Sequence, residues 1–249
     1  MSFRIATLNL ERNEKRWIER RKLIIQQLAM IEPDIFCLNE IWLPTQTGYW
    51  LQERVQAEPG VNYTLLEQPR ADKASHPEAV GVLTRFSVIE QSHRFFSARD
   101  TVTLVVRLDI EGRALDLYVT HLYPAVREDS ERVAQVKELL VWIKERDDVD
   151  YRIVCGDCNA TLEMESMKLM AEKFRPTQTE PTAFTPLSEV DGEPTHPDWK
   201  RFDRCIDFIW ISESLRVRAS GLCFNQPAEH DSRLWPSDHV GVWADLEFA

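Results

Sequence analysis

The sequence predicts an α/β fold in which two β-sheets pack together with helices outside. Three observations carry this expectation. Strand-like apolar runs recur along the whole chain, two substantial amphipathic stretches have helical spacing, and there is no long-period repeat or low-complexity tract.

The elements follow in order. Arg4–Leu8 reads as the first strand. Arg16–Ile31 reads as a helix, with Ile18, Ile24, Ile25, Leu28 and Ile31 spaced for one face, and Pro33 stops it. Asp34–Leu38, Tyr63–Leu66 and Val80–Thr84 read as strands. Val88–Glu90, Thr101–Leu108 and Ala114–Thr120 succeed one another as closely as an antiparallel meander does. A second helix is expected over Glu128–Glu145, with Val133, Val136, Leu139, Leu140 and Ile143 on one face. Tyr151–Cys155 is expected to be a strand, Glu163–Lys173 a short helix, and Ile206–Ile211, Arg216–Leu222 and Val240–Phe248 strands. Arg175–Arg204, rich in Pro, Thr and charge, reads as a long surface loop inserted in a single domain spanning 1–249.

The bulk properties narrow the function classes. The chain has 249 residues, enough to bury a sizeable core, with 43% hydrophobic and 29% charged residues. No apolar run approaches the roughly 18–20 residues a membrane span needs, and no signal-peptide pattern opens the chain, so a cytoplasmic monomer is the expectation. Five cysteines, an odd number and scattered, argue against a disulfide framework. The net charge is −11, and setting aside the acids Glu11, Glu40, Asp157, Asp207 and Asp238 still leaves an acidic surface. That argues against a broad nucleic-acid-binding face. Arg16, Arg20, Arg21 and Lys22 read as a solvated helix face balanced by Glu14 and Glu19.

Polar residues that interrupt or end apolar strands are the informative ones, because burying them is costly unless they have a partner or a task. Asn9 and Glu11 follow the first strand, and Glu40 the second. His121 ends a third, Asp157 and Asn159 follow a fourth, Asp207 opens a fifth, and Ser237-Asp238-His239 precedes the last. Singly, each is an ordinary turn or cap residue. Together, on the rim of two packed sheets, they form a coherent set. Carboxylates and carboxamides suit a hard cation such as Mg2+ or Mn2+, and no His or Cys cluster has zinc spacing. Such a cation polarises a phosphoryl oxygen, an Asp activates water, and His residues donate to phosphoryl oxygens. The Cys155-Gly156-Asp157-Cys158 motif is disfavoured as a redox centre, because Cys155 closes an apolar strand and does not open a helix. Trp42, Tyr49, Trp50, Trp199 and Phe202 read as packing residues ahead of substrate contacts.

The motifs Thr7-Leu8-Asn9, Leu38-Asn39-Glu40, Gly81-Val82-Leu83-Thr84-Arg85-Phe86, Thr120-His121-Leu122, Gly156-Asp157-Cys158-Asn159, Ile206-Asp207-Phe208-Ile209 and Pro236-Ser237-Asp238-His239 occur in this order. In that order and spacing the chain resembles the endonuclease/exonuclease/phosphatase superfamily, on its Thr-His-Leu branch. The resemblance implies a DNase I-like four-layer sandwich of two mixed sheets flanked by helices. It implies a phosphodiesterase or nuclease-like hydrolase, and it implies roles residue by residue. Glu40 resembles the main metal ligand, with Asn9 and Asp238 beside it, and Glu11 falls where some members carry a second metal-binding acid. Asp157 resembles the residue that activates the water, and Asn159 the one that orients it. His239 resembles the phosphate-binding histidine, Asp207 the acid that orients it, and His121 a further phosphate contact. The expected partner is a phosphate ester: nucleic acid, a phospholipid head group or a small phosphodiester. The alternatives are a phosphomonoesterase acting on a small phosphorylated metabolite or inositol phosphate, and, more distantly, a non-catalytic module of the same fold.

Overall fold

The computed structural model describes residues 2–12, 14–57, 62–124, 128–178, 189–190, 193–194 and 204–249. The chain begins with β1 (Ser2–Asn9), α1 (Trp17–Ile31), β2 (Ile35–Trp42), α2 (Thr47–Gln56), β3 (Thr64–Pro69) and β4 (Glu78–Thr84). It continues with β5 (Ser87–Phe95), β6 (Val102–Ile110), β7 (Arg113–His121), α3 (Ser130–Glu145), β8 (Tyr151–Asp157) and α4 (Glu165–Ala171). The last elements are β9 (Arg175–Pro176), β10 (Glu189–Val190), β11 (Glu193–Pro194), β12 (Asp207–Ile211), β13 (Leu215–Cys223) and β14 (Gly241–Phe248).

Among the described residues the strands form two six-stranded sheets, ordered β13-β14-β1-β2-β4-β3 and β5-β6-β7-β8-β12-β9, and β10 pairs with β11 in a separate ribbon. Each large sheet has one parallel pair, β1 with β2 and β7 with β8; the other pairings are antiparallel. The parallel pairs are crossed over by α1 and α3, the connection a parallel ladder requires.

Three apolar layers show how the sheets stack. Ile5, Cys37, Val82, Val119, Cys155 and Ile209 belong to one core between the sheets. Leu8, Phe36 and Leu38 pack outward with Trp17, Ile24 and Leu28 of α1 and with Leu51 and Val55 of α2. Tyr118, Val154 and Trp210 pack outward with Val136 and Leu139 of α3 and Met167 and Met170 of α4. This is the expected four-layer sandwich. Full burial of each large aliphatic side chain contributes roughly 1.5–3 kcal/mol.

Several expectations need correction. Ile18 is exposed; the inward face of α1 uses Trp17, Arg20, Leu23 and Gln27 along with Ile24 and Leu28. Arg20 is therefore not part of a solvated basic face, although Arg16 pairs with Glu19 at 3.1 Å as surface charges do. Helix α2 was not foreseen; its Trp50 packs edge-on against Trp17, with Arg21 over its ring. Tyr49 is half-exposed. The stretch expected to begin a surface loop at Arg175 instead begins with β9, which pairs with β12, and Thr177 and Gln178 are buried. Much of the remainder of that stretch, with Trp199 and Phe202, lies outside the described residues. Among the described residues no helix is long and apolar enough to cross a membrane.

Candidate active site

Side chains alternate faces along a strand, so the residue two positions beyond an inter-sheet core residue also points between the sheets. Cys155 leads to Asp157, Val119 to His121, and Ile209 lies two residues from Asp207. The register puts these three ends in one row: His121 is opposite Asp157 across β7 and β8, and Asp207 is opposite Asp157 across β12 and β8. On the other sheet, Asn9 lies opposite Asn39 across β1 and β2. The apolar gap between the sheets thus closes at one rim with polar residues.

Glu40 is placed by an irregularity. The β2–β4 register shifts between Leu38 and Ile41, and Glu40 has a φ of 55°. Such a bulge re-aims a side chain out of the regular alternation. The Arg12 amide donates to Glu40 Oε2 at 2.7 Å, and His121 Nε2 stands 3.9 Å from Glu40 Oε1.

Asp157 is held on both oxygens. The Asn159 amide donates to Oδ1 at 2.8 Å, and Asn9 Nδ2 donates to Oδ2 at 3.1 Å. His121 Nε2 and His239 Nε2 lie 3.6 and 3.8 Å from Oδ2. His239 Nδ1 bonds Asp207 Oδ2 at 2.8 Å. Ser237 joins the C-terminal motif to β1: its hydroxyl donates to the Asn9 carbonyl at 2.6 Å and accepts the His239 amide at 3.1 Å. Arg20, fully buried, donates to the carbonyls of Leu10 and Pro236 at 3.0 and 3.2 Å and pairs with Glu11 at 3.1 Å. The Glu11 carboxylate thus faces Arg20 and α1.

Three residues that organise the site escaped the sequence reading. Asn39 accepts the Asp157 amide at 2.9 Å and donates to the Thr120 carbonyl at 2.8 Å, joining the sheets. Arg20 is the second. The third is Glu78, buried at the start of β4 and paired with Arg70 at 2.7 Å and Arg12 at 3.5 Å. Period two along β4 signals it, because Val80 and Val82 both face the inter-sheet core.

Burial pushes the Asp157 carboxyl up to about 6, with Asp207 adding to the rise and His239 and His121 opposing it. Burial also raises Glu40, with Glu78 adding to it, and raises Asp238, with Glu40 adding to it. For His239, burial favours the neutral ring, but Asp207, Asp238 and Asp157 outweigh it and hold the proton well above the usual range. For Glu78, burial is outweighed by His121, Arg70 and Arg12, which keep it ionised.

The donor chemistry fits a hard cation. Desolvation raises the Glu40 and Asp238 carboxyls, with Glu78 adding to the rise at Glu40 and Glu40 adding to the rise at Asp238, a repulsion that a bound divalent ion would relieve. Asn9 Oδ1 accepts the Glu11 amide and keeps a second lone pair. Asp157, Asp207 and His239 also offer ligand atoms within 4.8 Å of one another. Their closeness is already accounted for by the direct Asp207–His239 bond and by the two donors on Asp157, so a relay describes this trio better than a cation cage. Cys155 lies in the inter-sheet core and Cys158 in the outer core under α3 and α4. Burial pushes both thiols up, which removes the thiolate a redox pair needs.

Comparison with known proteins places this site in context. The sequence model of the Endonuclease/Exonuclease/phosphatase family matches residues 6–239. Nocturnin of Xenopus laevis is 29% identical over 260 residues, covering 94% of this chain and 65% of that protein. The chain therefore spans less than two thirds of the length of that relative. Among solved structures, D. rerio TDP2 complexed with a single-strand DNA product has a TM-score of 0.81 at 18% identity, covering 99% of each chain. The Bacteroides thetaiotaomicron mannosyl-6-phosphatase Bt3783 has a TM-score of 0.78 at 19% identity, covering 99% of this chain and 100% of that one. At these identities the structural likeness establishes the fold.

Proposed function

The chain belongs to the Endonuclease/Exonuclease/phosphatase family, and from that premise we propose that it is a metal-dependent phosphoric ester hydrolase acting on a phosphodiester. The observation that carries the reading is the row of His121, Asp157 and Asp207 on one sheet, facing Asn9 and Glu40 of the other across a single rim. The extent of the family match supports one catalytic unit over the chain.

In this reading Glu40, Asn9 and Asp238 hold Mg2+ or Mn2+, and Glu11 acts beside them through Arg20. The bound cation supplies Lewis-acid polarisation of a phosphoryl oxygen and offsets developing charge. Asp157 takes the proton of the attacking water, and a carboxyl near 6 is well matched to base catalysis close to neutral pH. The Asn159 amide and Asn9 Nδ2 fix which lobe of Asp157 faces the water. His239, kept protonated by Asp207, donates to a phosphoryl oxygen as charge develops. His121, between Glu40 and Asp157, contacts the same phosphoryl group.

The test is a hydrolysis panel of bis-p-nitrophenyl phosphate, p-nitrophenyl phosphate, single-stranded DNA and RNA, sphingomyelin and inositol phosphates with Mg2+ or Mn2+ and EDTA controls. Faster turnover of diesters than of monoesters is expected. A marked preference for the monoester would replace this reading with that of a phosphomonoesterase.

A further inference from the structure

Leu122 and Tyr123 lie just past the end of β7, outside any strand, yet all four of their backbone polar groups are held. The Leu122 amide donates to the Asp157 carbonyl at 3.0 Å, and the Leu122 carbonyl accepts Asn159 Nδ2 at 3.0 Å. The Tyr123 amide donates to Gln135 Oε1 at 2.9 Å, and the Tyr123 carbonyl accepts Arg132 Nη1 at 3.0 Å. Arg132 and Gln135 are fully buried and three residues apart on α3. Asn159 also holds Asp157 through its own amide, so the segment that carries Tyr123 shares a support with the proposed base. Backbone groups at a strand end are ordinarily left to water. Here protein groups take all of them, and this fixes where Tyr123 stands.

Core packing does not explain that placement. Among the described residues Tyr123 belongs to none of the apolar cores, although Leu122 beside it does. What meets the ring is Arg99, whose guanidinium lies over it, 4.8 Å from the centroid. Arg99 is set in place as firmly. Its Nε and Nη2 donate to Glu131 Oε1 at 3.3 and 3.0 Å, and its carbonyl accepts Arg70 Nη2 at 3.2 Å. Arg99 and Asp100 have φ of 66° and 47°, which side-chain-bearing residues adopt uncommonly. Gln135 Nε2 ties the same loop to α3 through the Ala98 carbonyl at 2.8 Å and Thr101 Oγ1 at 2.7 Å. One buried glutamine thus holds both the loop with the guanidinium and the segment with the ring. Glu131 neutralises Arg99, so the pair is not an anion site. It offers flat surfaces, and the Arg99 side chain stays 54% exposed.

We propose that Arg99 and Tyr123 form a stacking platform for a nucleobase carried by the phosphodiester, and so determine specificity beside the reacting groups. Guanidinium planes and aromatic rings both stack on bases, whereas a sugar or an acyl chain offers no flat face. Tyr123 stands two residues past His121, at most roughly 7 Å along the chain. A base is set off from its phosphorus by the sugar in the same way, whereas the ring of an aryl ester abuts the phosphoryl group. The proposal deepens the hydrolase reading and rests on it. Gln135 and Arg132 are positioning residues here, since they act through the two loops.

Steady-state hydrolysis tests the platform with two esters that share a p-nitrophenyl leaving group, thymidine 5′-(p-nitrophenyl phosphate) and the same ester without the base. Wild type should favour the thymidine ester, chiefly through a lower KM. Tyr123→Ala should lose about tenfold of that preference, and Tyr123→Phe, which keeps the ring, should retain it. Circular dichroism and melting curves check the fold, and Arg99→Ala, on an exposed side chain, supplies a second reading with a loss in the same direction. No preference in wild type, or an unchanged ratio in folded Tyr123→Ala and Arg99→Ala, would overturn the platform. Equal slowing of both esters counts as an unchanged ratio and would assign Tyr123 to the shared leaving group. Hydrolysis of neither ester with Mg2+ or Mn2+ would remove the hydrolase reading. Calorimetric titration with thymidine 5′-phosphate and abasic deoxyribose 5-phosphate then decides the platform. Tighter binding of the nucleotide by wild type, lost in Tyr123→Ala, upholds it; equal affinities or no binding overturn it.

Discussion

Asn39 on β2 accepts the backbone amide of Asp157 on β8 at 2.9 Å, so the second strand of one sheet fixes the position of the proposed base on the other. Its amide nitrogen meanwhile donates to the Thr120 carbonyl at 2.8 Å, and all of these groups are buried. Asn39→Ala leaves a buried donor and a buried acceptor without partners. The expected loss is on the order of 2–4 kcal/mol of folding stability, with a larger fall in activity than in substrate binding. Urea unfolding and steady-state kinetics read the two effects.

Gly156 makes this crossing possible. Its φ of 125° is one that side-chain-bearing residues rarely adopt, and a Cβ there would sit 2.2 Å from the Thr120 carbonyl oxygen and 2.8 Å from Asn39 Oδ1. Gly156→Ala is expected to cost roughly 3 kcal/mol or more. A melting temperature within error of wild type would contradict the cross-sheet geometry.

Arg20 ties three segments to α1: the carbonyls of Leu10 and Pro236, and the carboxylate of Glu11. Arg20→Met removes the buried fork and leaves its partners behind, at a cost on the order of 3–5 kcal/mol. Metal affinity, followed by calorimetry, should fall as well, because the bound carbonyls lie next to the loops that carry Glu11 and Asp238. Unchanged affinity in a folded variant would confine Arg20 to stability.

The pH dependence of stability follows from Asp157. Its folded carboxyl is raised to about 6, above the roughly 3.9 of an unfolded chain. Protonation therefore favours the fold: the contribution is complete below about pH 4 and is lost as pH rises through about 6. In EDTA, this residue should make the protein less stable at about pH 7.5 than at about pH 5, by on the order of 1–1.5 kcal/mol. Asp157→Asn should flatten that slope, and urea midpoints across the range check it. An identical slope in both proteins would show that the proton is carried elsewhere.

Much of this was legible in the sequence, and the rest was hidden for physical reasons. His121, Asp157 and Asp207 stand out because each polar side chain meets an apolar strand at its end. The parallel β7–β8 ladder and the antiparallel β8–β12 ladder that bring them into one row come from long-range pairing, which no local pattern encodes. Asn39 was overshadowed by its neighbour Glu40, although regular alternation from Cys37 points Asn39, not Glu40, between the sheets; the bulge that rescues Glu40 has no local signature. Arg20 looked like one of four surface cations on α1, because helical spacing alone does not say which face meets the core. Glu78 precedes its apolar strand instead of ending it, so it resembled a loop acid.

The most direct test of the account is turnover of bis-p-nitrophenyl phosphate by wild type and Asp157→Asn, each with Mn2+ or Mg2+ and after complete metal removal. Wild-type activity should require the metal, and the folded variant should lose on the order of 10²–10⁴ of the rate, the contribution typical of a positioned general base. Undiminished hydrolysis by Asp157→Asn, or wild-type activity that survives metal removal, would contradict it.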